Sequence, residues 1–276
     1  MAVASSPEVL GVLAHDLRWT IVGLLAPGDL RTSELVSRTG EAPSLVSYHL
    51  ARLRDAGLVS ARRSTADGRD SYHVLDLDAL GQAMARTATG IHPSLGQAMA
   101  DMASRIHPSL GQAPPARPRP SADLADPHGF DGGPPVSAQV LFICSGNSAR
   151  SPMAAGWLNH LGAGRVTARS AGVTPRPLHP LAVAAMAEHG VDIGGHRATR
   201  LDACADHHFT RVITLCDRAR ENCGELPAAP VAAHWSIPDP ARAHPPDLDA
   251  FRAAARELRT RVRYLLPMLA EASADA

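Results

Sequence analysis

The spacing of apolar and polar residues divides the chain into two regions. In the N-terminal region, apolar residues recur at helical spacing from residue 8 to residue 25, which predicts one core helix. Two shorter helices and a β-hairpin are predicted after it, and three helices followed by a hairpin wing form a winged helix-turn-helix, a domain that is mostly α. The predicted elements are helices at 32–39 and 43–56 and strands at 58–63 and 72–77.

The C-terminal region alternates strands with helices. Residues 140–143 are an uninterrupted apolar run, as in a strand buried on both faces of a parallel sheet. Met153, Trp157 and Leu161 follow at helical spacing. The alternation predicts a three-layer α/β domain with a four-stranded parallel sheet. The remaining predicted elements are strands at 165–171, 211–215 and 231–237 and helices at 181–188 and 251–269.

The two regions are separated by a duplication and a proline-rich stretch. Residues 80–94 recur as 95–109, and each copy is expected to form a short helix that ends at a His-Pro pair. Residues 113–137 are rich in Pro, Gly and Asp, which predicts a flexible tether. We therefore predict domains at 1–112 and 138–276, and we expect the tether to keep them loosely coupled.

Composition and charge restrict the possible partners and the compartment. The chain has 276 residues and a formal net charge of zero, so no global field draws it to nucleic acid or to a membrane. The N-terminus has no signal-peptide pattern and no apolar run is long enough to span a bilayer, so we expect a cytoplasmic protein without membrane contact. In that reducing compartment, its four cysteines are expected to be catalytic, redox-active or metal-binding.

The third predicted helix carries candidate DNA contacts. Two serines and a tyrosine fall opposite its apolar stripe, where a recognition helix meets the major groove, and an arginine beside them can contact phosphate. Residues 50–75 contain five arginines and three aspartates, which is a local positive excess. The alternative is a three-helix interaction module with a solvated arginine face. The candidate DNA contacts are Ser44, Ser47, Tyr48, Arg52 and, in the hairpin loop, Arg69.

The N-terminal region resembles a known family of repressors. LAHDLRWTIVGLL, VSYHLARLRDAGLV and the wing are similar to the arsenic- and metal-responsive winged-helix repressors of the ArsR family, over roughly residues 8–80. The resemblance implies operator binding, and a homodimer formed through the helix after the wing. Many arsenic sensors of that family carry a cysteine pair where this chain has Arg31, Thr32 and Ser33. Because residues 1–112 contain no cysteine, arsenite cannot bind there through thiolates.

The segment CSGNSARS, between a buried strand and a helix, predicts an oxyanion cradle. Its loop N–H groups and the first helical turn carry partial positive charge, and Arg150 is a planar two-pronged donor, so phosphate or arsenate fits. A thiol held in that field becomes a nucleophile, which makes Cys144 the candidate. The alternative is a buried strand-end cysteine beside a surface arginine. The cradle residues are Ser145, Gly146, Asn147, Ser148, Ala149, Arg150 and Ser151.

Two further cysteines suit a thiol relay. Cys216 ends the third predicted strand, so it should lie at the same carboxyl edge of the sheet as Cys144, and Cys223 follows seven residues later. A thiol there could attack an adduct on Cys144, and Cys223 could then take over the disulfide. The alternative is a pair of unrelated cysteines, one packed and one exposed.

The C-terminal region also resembles a known family. CSGNSARS looks like the anion loop of low-molecular-weight tyrosine phosphatases and of arsenate reductases with the same fold, and VITLCDRARENCGELP with HWSIPDP is similar to the thioredoxin-linked reductases. The resemblance implies that Cys144 attacks arsenate held by Arg150 while Asp239 protonates the leaving oxygen. It further implies that Cys216 expels arsenite by forming a Cys144–Cys216 disulfide. A Cys216–Cys223 disulfide then passes to an external reductant, thioredoxin or a small thiol, with no bound cofactor.

Departures from both families leave the substrate open. Pro152 is typical of the phosphatases, and Ala155 replaces a glutamate that supports a cation site in some reductases, which argues against potassium dependence. Against the phosphatase, Asp239 and Pro240 are followed by Ala241 rather than by an aromatic residue that would line a phosphotyrosine slot.

Two groups of residues suggest metal binding, and neither has a full ligand set. The pair His92 and His107 lacks a carboxylate or cysteine partner, and Cys204 with His207 and His208 supplies only three ligands. We therefore predict no metal site.

These observations favour an arsenate reductase fused to a transcriptional regulator of arsenic resistance. The alternatives are a low-molecular-weight protein tyrosine phosphatase and a regulator whose C-terminal domain only senses an oxyanion or a redox state. The expected partners are arsenate or phosphate, operator DNA and a thioredoxin-like reductant. A further hypothesis is that arsenite bound by the C-terminal thiols changes DNA affinity.

Overall fold

The computed structural model describes residues 6–66, 68–98, 138–222, 227, 229–242 and 245–271. The predicted tether, most of the second repeat copy and Cys223 lie outside the described residues. Two separate hydrophobic cores are present, one in each predicted region. The domain boundaries themselves remain a prediction.

The helix predicted over residues 8–25 is two helices, α1 (Ser6–Leu13) and α2 (Asp16–Leu25). The His15 imidazole caps α2 by accepting a 3.2 Å hydrogen bond from the Leu17 amide. The Arg18 guanidinium donates to the carbonyl of Gly11 across the break. Both helices bury apolar residues in the same core, which is why the helical spacing continues through the turn and hides it.

The helix-turn-helix and wing agree with the prediction to within two residues at each end. Gly40, with φ of 71°, ends α3, and the hairpin strands pair antiparallel. A two-residue strand, β1, was not predicted, because it is too short to show a period. The elements are β1 (Leu30–Arg31), α3 (Thr32–Thr39), α4 (Pro43–Asp55), β2 (Val59–Arg63) and β3 (Ser71–Leu75), with sheet order β1-β3-β2.

Residues 80–91 of the first repeat copy lie in α5 (Leu77–Ile91), which begins before the copy and ends at its His-Pro pair. The Asp76 carboxylate caps this helix by accepting a 2.8 Å hydrogen bond from the Ala79 amide. A further helical stretch, α6, is described over residues 93–98. Along the described part of the chain, no helix combines the length and apolar character that crossing a membrane requires.

The C-terminal domain has the predicted four-stranded parallel sheet, in the order β5-β4-β6-β7. The short helix directly after β6 was not predicted, because six residues are too few to show a helical period. The strands are β4 (Ala138–Cys144), β5 (Val166–Gly172), β6 (Arg211–Thr214) and β7 (Val231–His234). The helices are α7 (Arg150–Gly162), α8 (Pro180–Ala187), α9 (Asp217–Asn222) and α10 (Leu248–Glu271).

The two domains touch directly, which corrects the expectation of loose coupling. The Asp29 amide donates a 2.7 Å hydrogen bond to the carbonyl of His234 at the end of β7. A Cβ atom at Gly28 would lie 2.8 Å from that carbonyl oxygen, so a glycine permits the close approach. The Asp29 carboxylate is buried and forms two 2.9 Å hydrogen bonds with the guanidinium of Arg261 on α10.

A second ion pair extends this interface. The guanidinium of Arg62 on β2 forms hydrogen bonds of 2.7 and 3.0 Å with the two carboxylate oxygens of Glu257 on α10. Arg62 also donates a 2.7 Å hydrogen bond to the carbonyl of Ser236. The wing strand β2 is therefore anchored on the C-terminal domain.

Replacing Arg261 with alanine should strongly destabilise the protein. The side chains of Arg261 and Asp29 are only 11% and 1% exposed, so the substitution leaves a buried carboxylate without its cation. We expect the free energy of unfolding to fall by about 3 kcal/mol or more, measured by urea denaturation. Arg252→Ala, which breaks exposed pairs on the same helix, should lower the free energy of unfolding far less. Equal losses in the two variants would contradict the buried pair.

Candidate active site

The loop after β4 is shaped so that its N–H groups point inward. Cys144 ends β4, and Arg150 begins α7. The carbonyls of Ser145, Gly146 and Ser148 accept hydrogen bonds of 2.8 to 2.9 Å from amides in the segment after β5. Because the C=O and N–H of a trans peptide point in opposite directions, the N–H groups next to these carbonyls face the loop centre. This arrangement at a helix N-terminus is the one expected of the oxyanion cradle, and its binding of an oxyanion remains a prediction.

Asn147 holds the cradle in shape. It is fully buried with φ of 47°, a conformation that asparagine tolerates better than most residues. Its amide nitrogen donates to the Ser170 hydroxyl at 2.9 Å, and its amide oxygen accepts from the Thr199 N–H at 2.8 Å and from His196 Nε2 at 3.1 Å. A Cβ atom at Gly172 would lie 2.7 Å from the backbone nitrogen of Asn147, so glycine is required there.

The Cys144 sulfur lies at the base of the cradle and is 2% exposed. The Asn147 N–H donates to Sγ at 3.2 Å, and the Ser151 hydroxyl lies 3.0 Å from it. Ser151 in turn accepts a 2.9 Å hydrogen bond from the Asn147 side chain. The Asn147 N–H thus fixes the position of the Cys144 sulfur within the loop.

Arg150 closes one side of the cradle and remains charged. Its guanidinium donates to the Ile237 carbonyl at 3.2 Å and to Asp239 Oδ2 at 3.0 Å. Burial alone would lower the pKa of Arg150, but negative charge on Cys216, Cys144 and Asp239 raises it above its ordinary value. The Arg150 side chain is 7% exposed and that of Asp239 is 43% exposed, so the carboxyl lies at the rim.

A second thiol lies against the residue that follows Cys144. Cys216 follows β6 and is 2% exposed, and its Sγ is 3.2 Å from the hydroxyl oxygen of Ser145, the residue after Cys144. The Leu215 amide donates a 2.7 Å hydrogen bond to the Ile143 carbonyl, which keeps the end of β6 against β4. The structure therefore brings together Cys144, Arg150, Asp239 and Cys216, whereas Cys223 lies outside the described residues.

Sequence reasoning missed Asp217, the buried residue that begins α9. Its Oδ1 accepts from His234 Nε2 at 3.0 Å and from the Ser236 hydroxyl at 2.8 Å. Its Oδ2 accepts from the amide and the hydroxyl of Thr65, at 2.7 and 2.9 Å. Burial acts to raise the pKa of Asp217, but the hydrogen bonds from His234, Thr65 and Ser236 outweigh it and lower the pKa far below its usual value. The only sign of this residue's role in the sequence was its position directly after Cys216.

The groups considered for metal binding show other roles. Cys204 is 4% exposed, and burial raises the pKa of its thiol, which makes it a poor nucleophile. His207 Nε2 lies 3.0 Å from the Arg169 guanidinium. His107 lies outside the described residues, and among those described no three or more potential ligands are grouped to hold a metal ion.

The candidate DNA contacts on α4 are accessible. Ser44, Ser47, Tyr48 and Arg52 are exposed, and the Tyr48 side chain is 58% exposed although it is large and partly apolar. Arg69 is exposed in the loop between β2 and β3. Their contact with DNA remains a prediction.

Comparisons with known proteins match two separate parts of the chain to two families. A family model described as low molecular weight phosphotyrosine protein phosphatase matches residues 139–275, and one described as bacterial regulatory protein, arsR family, matches residues 15–61. The arsenate reductase of Staphylococcus aureus strain Newman is 39% identical over 102 residues, which is 37% of this chain and 78% of that protein. Arsenate reductase 2 of Staphylococcus epidermidis is 38% identical over 102 residues, which is again 37% of this chain and 78% of that protein.

Two solved structures are similar to the C-terminal half. An arsenate reductase in the phosphate-binding state is 31% identical, with a TM-score of 0.42, over 48% of this chain and 98% of its own. A low molecular weight protein tyrosine phosphatase from T. tengcongensis is 26% identical, with a TM-score of 0.42, over 48% of this chain and 99% of its own.

Replacing Arg150 with lysine should weaken oxyanion binding. A lysine keeps the charge but loses the planar two-pronged donor, so inorganic phosphate should bind at least about tenfold more weakly in isothermal titration calorimetry. Arg252→Lys, at a surface position of α10 where the arginine pairs with Glu188, should leave the phosphate affinity unchanged. Equal affinity in Arg150→Lys and the parent would exclude Arg150 as an oxyanion ligand.

Proposed function

Because the chain belongs to the low-molecular-weight phosphotyrosine protein phosphatase family and carries an ArsR-family region ahead of it, we propose that it is a thiol-dependent arsenate reductase joined to an arsenic-responsive transcriptional regulator. The observation that carries the proposal is the position of Cys216, with its sulfur 3.2 Å from the residue that follows Cys144. The relatives named arsenate reductase support the same choice of substrate.

The first step is nucleophilic attack on arsenic. The loop N–H groups and Arg150 hold the arsenate oxygens, and the Cys144 thiolate forms a sulfur–arsenic bond while one oxygen leaves as water. Asp239, at the rim beside Arg150, supplies the proton to that oxygen. Arsenic remains in its +5 state, and the adduct stays in the cradle.

The second step transfers the electrons. The Cys216 thiolate attacks the Cys144 sulfur, so a sulfur–sulfur bond forms and the sulfur–arsenic bond breaks. The electron pair of the broken bond remains on arsenic, which leaves as arsenite in its +3 state. Two thiols have thereby been oxidised to one disulfide.

The third step regenerates the nucleophile. Cys223 attacks Cys216, which releases the Cys144 thiolate and leaves a Cys216–Cys223 disulfide. An external dithiol such as a thioredoxin, or a small thiol, reduces that disulfide and completes the cycle. No bound cofactor enters these steps.

A phosphatase is the second candidate, because Pro152 and the shared cradle suit phosphate esters. Such an enzyme hydrolyses its phosphocysteine with water and has no use for a second thiol next to the first. Cys216 beside the cradle therefore favours the reductase, and slow hydrolysis of aryl phosphates is expected as a side activity.

The N-terminal domain supplies the regulatory half of the proposal. Helix α4 presents an exposed polar face at the position of a recognition helix. Since residues 1–112 contain no cysteine, we propose that arsenic is sensed through the thiols of the C-terminal domain. A homodimer formed through the helix after the wing would place two α4 helices on two operator half-sites.

Replacing Cys216 with serine should abolish arsenate reduction. The adduct on Cys144 then has no neighbouring thiol to expel arsenite, so turnover should fall by at least about a thousandfold. The assay follows NADPH consumption with thioredoxin and thioredoxin reductase, beside hydrolysis of an aryl phosphate, which should not decrease.

The matched control is Cys204→Ser, which removes a buried thiol outside the cradle and should keep arsenate turnover. Brisk aryl phosphate hydrolysis without arsenate turnover in the parent would establish the phosphatase instead. If both activities are absent while phosphate still binds, the sensor alternative is favoured.

Replacing Arg52 with alanine should weaken DNA binding without changing sequence preference. Loss of one phosphate contact should lower affinity for all sequences alike and reduce the slope of log affinity against log salt by about one. Fluorescence anisotropy with the labelled upstream region of the protein's own gene and an unrelated duplex measures both effects. An unchanged salt slope would show that Arg52 does not contact a DNA phosphate. Arg252→Ala, which removes a surface arginine of the C-terminal domain, is the control.

A further inference from the structure

The helix between the two relay cysteines is held by the N-terminal domain. Helix α9 starts at Asp217, directly after Cys216. Both the amide and the hydroxyl of Thr65, in the loop between β2 and β3, donate to Asp217 Oδ2, at 2.7 and 2.9 Å. Asp217 is 1% exposed, so this loop provides half of the four hydrogen bonds that stabilise its buried charge.

The far end of α9 is held by the same domain. Glu221 Oε1 accepts hydrogen bonds from the hydroxyls of Ser64 and Tyr72, each 2.9 Å long. Ser64 is 5% exposed and Tyr72 is fully buried, so the contact excludes water. Arg220 also forms an ion pair with Glu34 on α3. Three of the six residues of α9 therefore bind the winged-helix domain.

The proposed relay requires α9 to change shape. The two ends of a six-residue helix such as Asp217–Asn222 are separated by about 7.5 Å along its axis, at about 1.5 Å per residue. A disulfide requires Cα atoms within about 7 Å of each other. A Cys216–Cys223 bond, which rests on the proposed function, has to join residues on either side of this helix, so we infer that α9 unwinds when the bond forms.

We propose that the wing, defined as β2, β3 and the loop between them, is a positioning element of the thiol relay and is released from α9 when the Cys216–Cys223 disulfide forms. In that exchange the Cys223 thiolate attacks the Cys216 sulfur, the Cys144–Cys216 bond breaks, and the Cys144 thiolate leaves. The unwound segment no longer presents Asp217 and Glu221 together to the wing. The two equilibria are linked. Docking of the wing on α9 shifts the Cys216–Cys223 equilibrium toward the dithiol by the same factor by which the disulfide weakens docking.

This coupling explains how a regulator without cysteines in its DNA-binding domain can respond to arsenic chemistry. The wing carries Arg69, one of the candidate DNA contacts. Oxidation at the active site then makes this hairpin, which belongs to the proposed DNA-binding surface, less rigidly held. The signal is the redox state of the relay, and it requires no arsenic bound to residues 1–112.

Amide hydrogen exchange on the full chain tests the release. The protein is reduced, freed of reductant and given arsenate without thioredoxin, and thiol titration counts the loss of two of its four thiols. Peptide mapping by mass spectrometry identifies the disulfide. We expect exchange to rise at least tenfold in the wing loop and in α9 together. Loss of two thiols to the Cys216–Cys223 bond with unchanged wing exchange would overturn the proposal.

Failure of the proposed function gives a different result. If arsenate consumes no thiols, the reductase assignment is contradicted, and a Cys216–Cys223 disulfide made with diamide then decides the coupling by the same exchange measurement. The Cys223→Ser variant provides the matched control, because it stops at Cys144–Cys216 and α9 has no need to unwind. Wing release in that variant would also overturn the proposal.

The reciprocal effect is measured on the thiol–disulfide equilibrium. Thr65→Val removes one hydrogen bond to a buried carboxylate, so the Cys216–Cys223 equilibrium in a glutathione buffer should shift about tenfold toward the disulfide. Tyr72→Phe, which removes only the hydroxyl bonded to Glu221, should shift it in the same direction. Thr39→Val is the control, since the Thr39 hydroxyl bonds within α3. Unchanged equilibria in Thr65→Val and Tyr72→Phe would overturn the linkage.

Discussion

The parallel pairing of β4 with β6 is the constraint on which the chemistry depends. Ile143 pairs with Thr214, so both strands end at the same edge of the sheet, where one releases Cys144 into the cradle and the other leads to Cys216. Arg150 and the loop N–H groups lie at the same edge, which is where we propose that the oxyanion binds.

Buried carboxylates join the two domains around that edge. Asp217 of the C-terminal domain is stabilised partly by Thr65, and Asp29 of the N-terminal domain is stabilised by Arg261 and by the Ser236 amide. Each domain thus supplies donors to a charge buried in the other, and removing those donors is costly. Because of these shared hydrogen bonds, two domains joined by a predicted tether can still be held against each other. The same contacts allow a change at the relay cysteines to affect the wing.

The elements that the sequence predicted well are those with a long period or a local signature. The strand–loop–helix around Cys144, the helix-turn-helix and the four parallel strands were all visible in the spacing of apolar residues. The break at His15, strand β1 and helix α9 were missed because they are short or because the apolar spacing continues through them. The interface was missed because its partners lie some 150 residues or more apart in the chain and follow no period.

Disulfide mapping of the Cys223→Ser variant after a single turnover with arsenate decides whether the thiol relay operates. With the last thiol removed, we expect a trapped Cys144–Cys216 disulfide and one arsenite released per chain. If arsenate leaves both Cys144 and Cys216 as free thiols while the cradle still binds phosphate, the thiol relay is contradicted. The C-terminal domain would then be a phosphatase or an oxyanion sensor.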